Sequence, residues 1–224
     1  EGICMRKIQY DEIVRMLRDE VIRINCVPDS HLLDLYDKSI NSETSPVSKS
    51  VLETLKENAL IAGERLIPIC QDTGTLVCFV ELGVEVEIVG GFLYDAISDG
   101  VEAGYRDGYL RKSIVGHPIS RKNTGNNLPP VIHTELRKGD RMTLTIMAKG
   151  AGSENMSALK MLAPSDGIEG VKAFVIDTVK KAGPGMPRPI RFTIRLLRWC
   201  SRIGVLPFLW FSATCGLVTT VLRA

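Results

Sequence analysis

Two polar clusters interrupt largely apolar sequence, and their residue types suit the binding of a metal and of a small anion. Residues 70–74 read CQDTG, and residues 149–155 read KGAGSEN. The first cluster offers a thiol, which is a soft metal ligand, beside an amide, a carboxylate and a hydroxyl. The second is rich in glycine, so its backbone N–H groups can come close to carboxylate oxygens. Together they predict metal-assisted chemistry on a small oxyanion.

Helix and strand patterns place the first cluster in a loop. Apolar residues recur at helical spacing over residues 13–24, and a second amphipathic helix begins at Ser45-Pro46. The second helix leads towards Cys70, and the apolar run 76–80 that follows predicts a buried strand. The thiol is therefore expected between a helix and a strand.

The remaining patterns predict an α/β fold with a mixed sheet flanked by helices. Apolar and polar residues alternate over residues 84–88 and 142–146, as in half-exposed strands, and the latter strand leads into the glycine-rich run. Helical spacing returns over residues 92–105 and 170–179. Residues 113–130, rich in Gly, Asn and Pro, are expected to form a long loop, and a loop of this length in a compact domain is usually functional or disordered.

Composition excludes several classes of protein. The chain has 224 residues, 45% hydrophobic and 24% charged, which is ordinary for a globular protein and argues against disorder. A net charge of +2 shows no nucleic-acid footprint. Six cysteines form no CxxC pair, and no signal peptide precedes the first helix, so a reducing cytoplasm is expected.

Residues 185–224 form an atypical tail. No acidic residue follows Asp177. The tail contains six arginines, of which five precede and one follows an uncharged run over residues 203–222. That run has the ~20 residues needed to span a bilayer, but its proline, glycines and threonines argue against a membrane segment. We favour a shifted reading frame as the origin of the tail, and a divergent native end is the remaining alternative.

Four motifs in order carry a family resemblance. They are CQDTG at residues 70–74, LRKS at 110–113, RKNTGNN at 121–127 and KGAGSEN at 149–155. Their order resembles the class I fumarase and tartrate dehydratase family, specifically its alpha subunit or N-terminal half. The resemblance runs over residues 5–184, implies the fold of that N-terminal domain, and leaves the domain incomplete before the tail.

The resemblance implies a [4Fe-4S] cluster with Cys70 as a ligand. In the family three cysteines hold the cluster, and the fourth iron stays open as the catalyst. The other two family cysteines are not found here, and Cys200 and Cys215 are better explained as small hydrophobic residues of the tail. Without its neighbours, Cys70 would be interpreted as a buried core thiol.

The resemblance also implies the residues that bind substrate. Gln71 and Asp72 would reach its hydroxyl and carboxylate, and Arg111 would clamp a carboxylate through its fork of donors. Lys149 and Gly150 open the glycine motif, in which this chain has an alanine where the family has glycine. A helix cap or turn remains the alternative role for Gln71 and Asp72, and a surface ion pair for Arg111. The acid and base residues are unknown because they lie largely in the other half of the enzyme.

The implied function is reversible hydration or dehydration of a four-carbon dicarboxylate such as fumarate, malate or tartrate. A beta subunit or C-terminal domain would complete the site, and the assembly would be an oligomer. The first alternative is an inactive remnant that lacks two cluster ligands and at most binds a partner or a dicarboxylate. A membrane-tethered binding protein is the second alternative.

Overall fold

A computed structural model describes residues 5–150, 158–182, 190–196, 208–215 and 220–223, and these contain both helices and strands. The helices are α1 Tyr10–Cys26, α2 Ser30–Ser42, α3 Pro46–Arg65, α4 Leu93–Asp107 and α5 Gly167–Ala182. The strands are β1 Arg6–Gln9, β2 Thr75–Gly83, β3 Val86–Val89, β4 Val131–Arg137, β5 Met142–Lys149, β6 Ala158–Met161, β7 Ile190–Leu196, β8 Phe208–Cys215 and β9 Thr220–Arg223. The chain divides into two units, Glu1–Lys149 with Leu217–Ala224, and Gly150–Gly216.

The principal sheet of the first unit is mixed, in the order β4-β2-β5-β9. Strand β2 runs parallel to β4 and antiparallel to β5, and β5 is antiparallel to β9. The residues of β5 alternate between buried and half-exposed, as the sequence pattern predicts. Together with the helices packed against it, this sheet confirms the predicted α/β class.

Helices α1 and α4 cover the sheet through one shared core. Ile13, Leu17, Val21 and Ile24 are fully buried, and they form one cluster with Tyr105 of α4 and with apolar residues of β2 and β5. Glycines let the two helices approach closely. A Cβ on Gly100 would lie 2.7 Å from the Leu17 Cβ and 3.0 Å from the Val14 carbonyl oxygen. Because Gly100 has no side chain, α1 and α4 pack closer together than a larger residue at that position would allow.

A smaller core joins α2 to α3. Leu32 and Tyr36 of α2 are buried with Ala59 of α3. The Asp29 side chain caps α2 by accepting the Leu32 N–H at 2.9 Å, and the Ser45 side chain accepts a weaker bond from Ser48 at the start of α3. The predicted second helix is confirmed from residue 46, whereas α2 was not recognised in the sequence pattern.

In the second unit β6, β8 and β7 form an antiparallel sheet in that order. A small apolar cluster contains Leu162 and Phe174, the latter from α5. The tail thus contributes backbone to strands β7, β8 and β9, including the described part of its uncharged run. Among the residues that the structure describes, no helix is both long enough and apolar enough to cross a membrane.

Substitution of Gly100 by alanine should force α1 and α4 apart. The added methyl would meet a Cβ and a backbone oxygen rather than the mobile end of a side chain. We expect Gly100→Ala to lower the free energy of unfolding by about 1–3 kcal/mol, despite the better helix propensity of alanine. Gly116→Ala is the matched control, because its Cβ would find its nearest neighbour at 3.8 Å. Equal urea midpoints for the two variants would contradict the close-packing argument.

Candidate functional site

The loop that carries Cys70 is fixed on both sides of the thiol. Before it, the Ile69 N–H donates to the Asn25 carbonyl of α1 at 3.0 Å, and the Asn58 amide of α3 donates to the Ile69 carbonyl at 2.9 Å. After it, β2 begins at Thr75. The predicted position of Cys70, in a loop between a helix and a strand, is confirmed.

The Cys70 thiol lies in a polar turn and not in the core. Its side chain is half-buried, and its S–H donates to the Gln71 Oε1 at 3.4 Å. The Asp72 N–H in turn donates to the Cys70 Sγ at 3.5 Å. The metal-binding form of cysteine is the thiolate, and a backbone N–H directed at sulfur is compatible with it. Gln71 is exposed and Asp72 half-buried, so the turn presents three different polar groups.

The other two cysteines with described side chains differ sharply from Cys70. Cys26 and Cys78 are fully buried, and Cys78 belongs to the main apolar core. Burial raises the pKa of Cys78 to about 12 and also raises the pKa of Cys26. Both therefore stay protonated at neutral pH, and the burial of Cys78 agrees with the buried strand predicted over residues 76–80.

Buried hydrogen bonds hold the end of the Cys70 turn. The Tyr105 hydroxyl of α4 donates to the Thr73 and Gly74 carbonyls at 2.8 and 3.1 Å. The Asn127 amide donates to the Gly74 carbonyl at 2.9 Å. Burial raises the pKa of Tyr105, so its phenol remains a hydrogen-bond donor across the physiological range.

The same network brings the LRKS motif to the Cys70 turn. The Thr73 hydroxyl donates to the Arg111 carbonyl at 2.8 Å. On the other side, the Asn127 Oδ1 accepts the Ser113 and Ile114 N–H groups at 2.7 and 3.2 Å. Asn127 is fully buried and has a φ of 62°, a conformation that asparagine tolerates better than most residues. Three motifs that are far apart in sequence therefore meet at residues 73–74.

Strand pairing places the first residue of the fourth motif next to the turn. Lys149, the last residue of β5, lies opposite Thr75, the first residue of β2. Lys149 is 7% exposed. Gly150 is also buried and belongs to the second unit, while the rest of the glycine-rich run, residues 151–155, lies outside the described residues.

The Arg111 guanidinium is exposed, and within the described residues it forms no ion pair. The alternative role as one half of a surface ion pair thus finds no partner in that part of the chain. Its backbone carbonyl, in contrast, is held by Thr73. The structure therefore fixes the main chain at Arg111 and leaves the side chain available.

Sequence reasoning missed the residues that hold the site together. Tyr105 was assigned only to the apolar face of a helix, and Asn127 was only the last residue of a motif. Asn127 lies 53 residues from Gly74 in the chain. A left-handed asparagine within a glycine- and asparagine-rich loop is the one local signal that could have pointed to it.

A metal-ligand set is only partly present in the described residues. They contain no group of three or more His, Cys, Asp or Glu residues placed to hold a metal ion. Cys70 alone among them has the chemistry and the partial exposure of a cluster ligand. His133 instead stacks on Phe79, with ring centroids 5.2 Å apart. Cys200 and the side chain of Cys215 lie outside the described part.

Named relatives cover most of this chain. It is 39% identical over 187 residues to a Methanocaldococcus jannaschii protein provisionally named L(+)-tartrate dehydratase subunit alpha, covering 80% of this chain and 63% of that protein. It is 35% identical to the mitochondrial fumarate hydratase 1 of Leishmania major, covering 67% and 26% respectively. It is 30% identical to the L(+)-tartrate dehydratase subunit alpha of Escherichia coli strain UTI89, covering 68% and 51%.

The chain thus spans between about a quarter and two thirds of the length of these relatives. The fumarate hydratase (Fumerase) family matches residues 14–196, which extends past Pro184, where we place the end of the resemblance. The division into a domain over residues 5–184 and a tail over 185–224 stays a prediction. Since the match covers most of the sequence, the chain belongs to the fumarate hydratase (Fumerase) family.

Proposed function

We propose that this chain is the alpha-type part of an iron–sulfur hydro-lyase that hydrates or dehydrates a four-carbon dicarboxylate such as fumarate, malate or tartrate. The observation that carries the proposal is the Cys70 turn. It combines a half-exposed thiol, an amide and a carboxylate, and buried hydrogen bonds hold it to two distant motifs. Relatives named fumarate hydratase and tartrate dehydratase support the same reaction class.

In this proposal Cys70 is one ligand of a [4Fe-4S] cluster. Among the described thiols, it is the one kept out of the apolar core, and soft sulfur suits iron. When bound, such a cluster supplies a Lewis acid for the departing hydroxyl. The remaining ligands must come from outside the described residues, because those residues hold no further thiol beside Cys70.

The chain's own residues would bind and orient the substrate. Arg111 and Lys149 are cationic residues whose backbones lie beside the turn, Arg111 through its carbonyl and Lys149 opposite Thr75, and two cations suit a dianion with carboxylates at both ends. Gln71 and Asp72 would contact the hydroxyl and a carboxylate, and Gly150 would offer its backbone. The acid and base that move the proton remain outside this assignment.

We further propose that a beta subunit or C-terminal domain completes the site and that the assembly is an oligomer of the cytoplasm. Two of the relatives are themselves named alpha subunits. Their names, and the partial coverage of their length, support a second polypeptide or domain as the source of the missing groups. Comparison of residues 185–224 with the other reading frames of the gene tests the tail, because family-like sequence there would support a frame shift.

A second candidate function is a binding subunit without activity. The absence of a three-ligand group among the described residues favours it, because one thiol cannot hold a four-iron cluster alone. Such a chain would still bind a dicarboxylate or its partner. The two candidates differ in whether iron is retained.

The deciding experiment is anaerobic co-expression of the chain with a family beta subunit, followed by iron and sulfide reconstitution. The proposal expects cluster absorbance together with turnover of fumarate or L-tartrate. Dicarboxylate binding without iron would establish the second candidate. Absence of both would reject the two together.

Cys70→Ser should abolish cluster absorbance, because a serine hydroxyl replaces the thiolate ligand with a hard oxygen. Cys78→Ala is the matched control, since that thiol is buried in the core and protonated. The control should keep the spectrum and lose only stability. An unchanged spectrum in Cys70→Ser would remove the metal assignment.

Asn127→Asp should loosen the turn, because the carboxylate still accepts the N–H groups of Ser113 and Ile114 but cannot donate to Gly74. We expect a loss of about 1–3 kcal/mol in the free energy of unfolding, together with weaker dicarboxylate binding. Asn123→Asp is the control, because the exposed Asn123 amide also donates to a backbone carbonyl, that of Lys112. Similar losses in urea denaturation would show that burial of Asn127 is unimportant.

Arg111→Lys should raise the KM for the dicarboxylate by about 10-fold, because lysine keeps the charge but loses the planar fork of donors. Arg121→Lys makes the same change at an exposed arginine of the same loop, and its KM should stay within about twofold of the parent value. Steady-state kinetics of the reconstituted complex measure both. A KM that Arg111→Lys leaves unaltered would exclude the clamp.

A further inference from the structure

One buried hydroxyl near the Cys70 turn, that of Ser113, forms no hydrogen bond within the described protein. The Ser113 Oγ is inaccessible to solvent and has no hydrogen-bond partner in the described structure. Buried polar groups are normally paired, since desolvating a hydroxyl without a partner is unfavourable. A catalytic or binding role and a bound water or ion are among the known reasons why a native structure keeps such a group.

The main chain holds Ser113 in position, and the hydroxyl plays no part in this. Its N–H donates to the buried Asn127 Oδ1 at 2.7 Å, and the next N–H, that of Ile114, shares the same acceptor at 3.2 Å. Two residues earlier the Arg111 carbonyl accepts the Thr73 hydroxyl. The hydroxyl is therefore carried by backbone that is tied to the turn after Cys70.

The loop that carries Ser113 is basic. The sequence from Gly108 to Thr134 contains no acidic residue, but it contains Arg111, Lys112, Arg121 and Lys122. Within the described chain none of these four cations forms an ion pair. The loop folds back on itself, with the Gly116 N–H donating to the Lys122 carbonyl at 2.9 Å. An unpaired hydroxyl donor in this field suits a carboxylate oxygen.

We propose that Ser113 is a ligand-binding residue whose hydroxyl donates to a carboxylate of the small dianion. This inference rests on the proposed function for the class of ligand, and it adds a contact that the family resemblance did not supply. The arrangement sacrifices stability of the free protein for binding, because the hydroxyl is satisfied only when the ligand is present.

The test compares Ser113→Ala with the parent in the full chain, in two separate measurements. Thermal unfolding without ligand should show a Tm that is unchanged or raised, because alanine removes an unpaired buried group. Calorimetric titration with fumarate and L-tartrate should show a Kd raised about 10-fold, which is the loss expected for one hydrogen bond to a charged group. Ser113→Thr keeps the hydroxyl and should restore most of the affinity.

Ser98→Ala serves as the control, because the Ser98 hydroxyl is already bonded to the Tyr94 carbonyl at 2.8 Å and lies on the exposed side of α4. It should leave the Kd unchanged. A lower Tm for Ser113→Ala together with an unchanged Kd would overturn the inference and assign the hydroxyl a purely structural role. A parent chain that binds neither dicarboxylate would also overturn it. Binding without turnover in the reconstituted complex would reject the hydro-lyase and leave the Ser113 assignment standing.

Discussion

The site depends on the satisfaction of two buried backbone carbonyls, those of Thr73 and Gly74. A tyrosine hydroxyl and an asparagine amide donate to them, in the place that backbone N–H groups take within a strand or helix. A buried carbonyl without a donor would be costly, and these bonds therefore favour the chain path that brings α4 and the loop after residue 112 to this turn. Asn127 completes the constraint, because its Oδ1 accepts the N–H groups of Ser113, the last residue of the LRKS motif, and of Ile114, the residue that follows.

These hydrogen bonds hold the polar Cys70 turn next to the apolar core without making it part of that core. Directly behind the turn, β2 enters the sheet, and Cys78 three residues into the strand is a fully buried member of the apolar cluster. Cys70 is outside that cluster, although both thiols occur within one short stretch of sequence. The difference lies in the environment, because burial disfavours the thiolate of Cys78 while the polar turn gives Cys70 an N–H donor.

The family match and the geometry of the turn are independent observations, and they agree with each other. The relatives are named for dehydration and hydration of tartrate and fumarate, and the turn presents groups suited to such small dianions. In the proposed function the described residues supply one cluster thiol and several groups that bind the dianion, and they contain no group of three or more His, Cys, Asp or Glu residues placed to hold a metal ion. A site assembled from two polypeptides or two domains accounts for both facts, since each part then needs to carry only some of the ligands.

The sequence by itself determined the local structure. Periodic apolar residues defined α1, α3, α4 and β5, and placed Cys70 between a helix and a strand, because side-chain burial follows the period of each element. The family followed from four motifs whose order is visible without any structure. Helix α2 escaped notice, since only Leu32 and Tyr36 mark its buried face.

Only the tertiary structure decided which motifs meet. The pairing of β5 with β2 brings Lys149 opposite Thr75, and the buried Asn127 joins Gly74 to Ser113 across dozens of residues. No local pattern encodes these contacts, because they arise from strand register and from the need to pair buried polar groups once the core has closed. For the same reason the sequence cannot show that the Ser113 hydroxyl lacks a hydrogen-bond partner in the described structure, because the fold decides which donors and acceptors surround it.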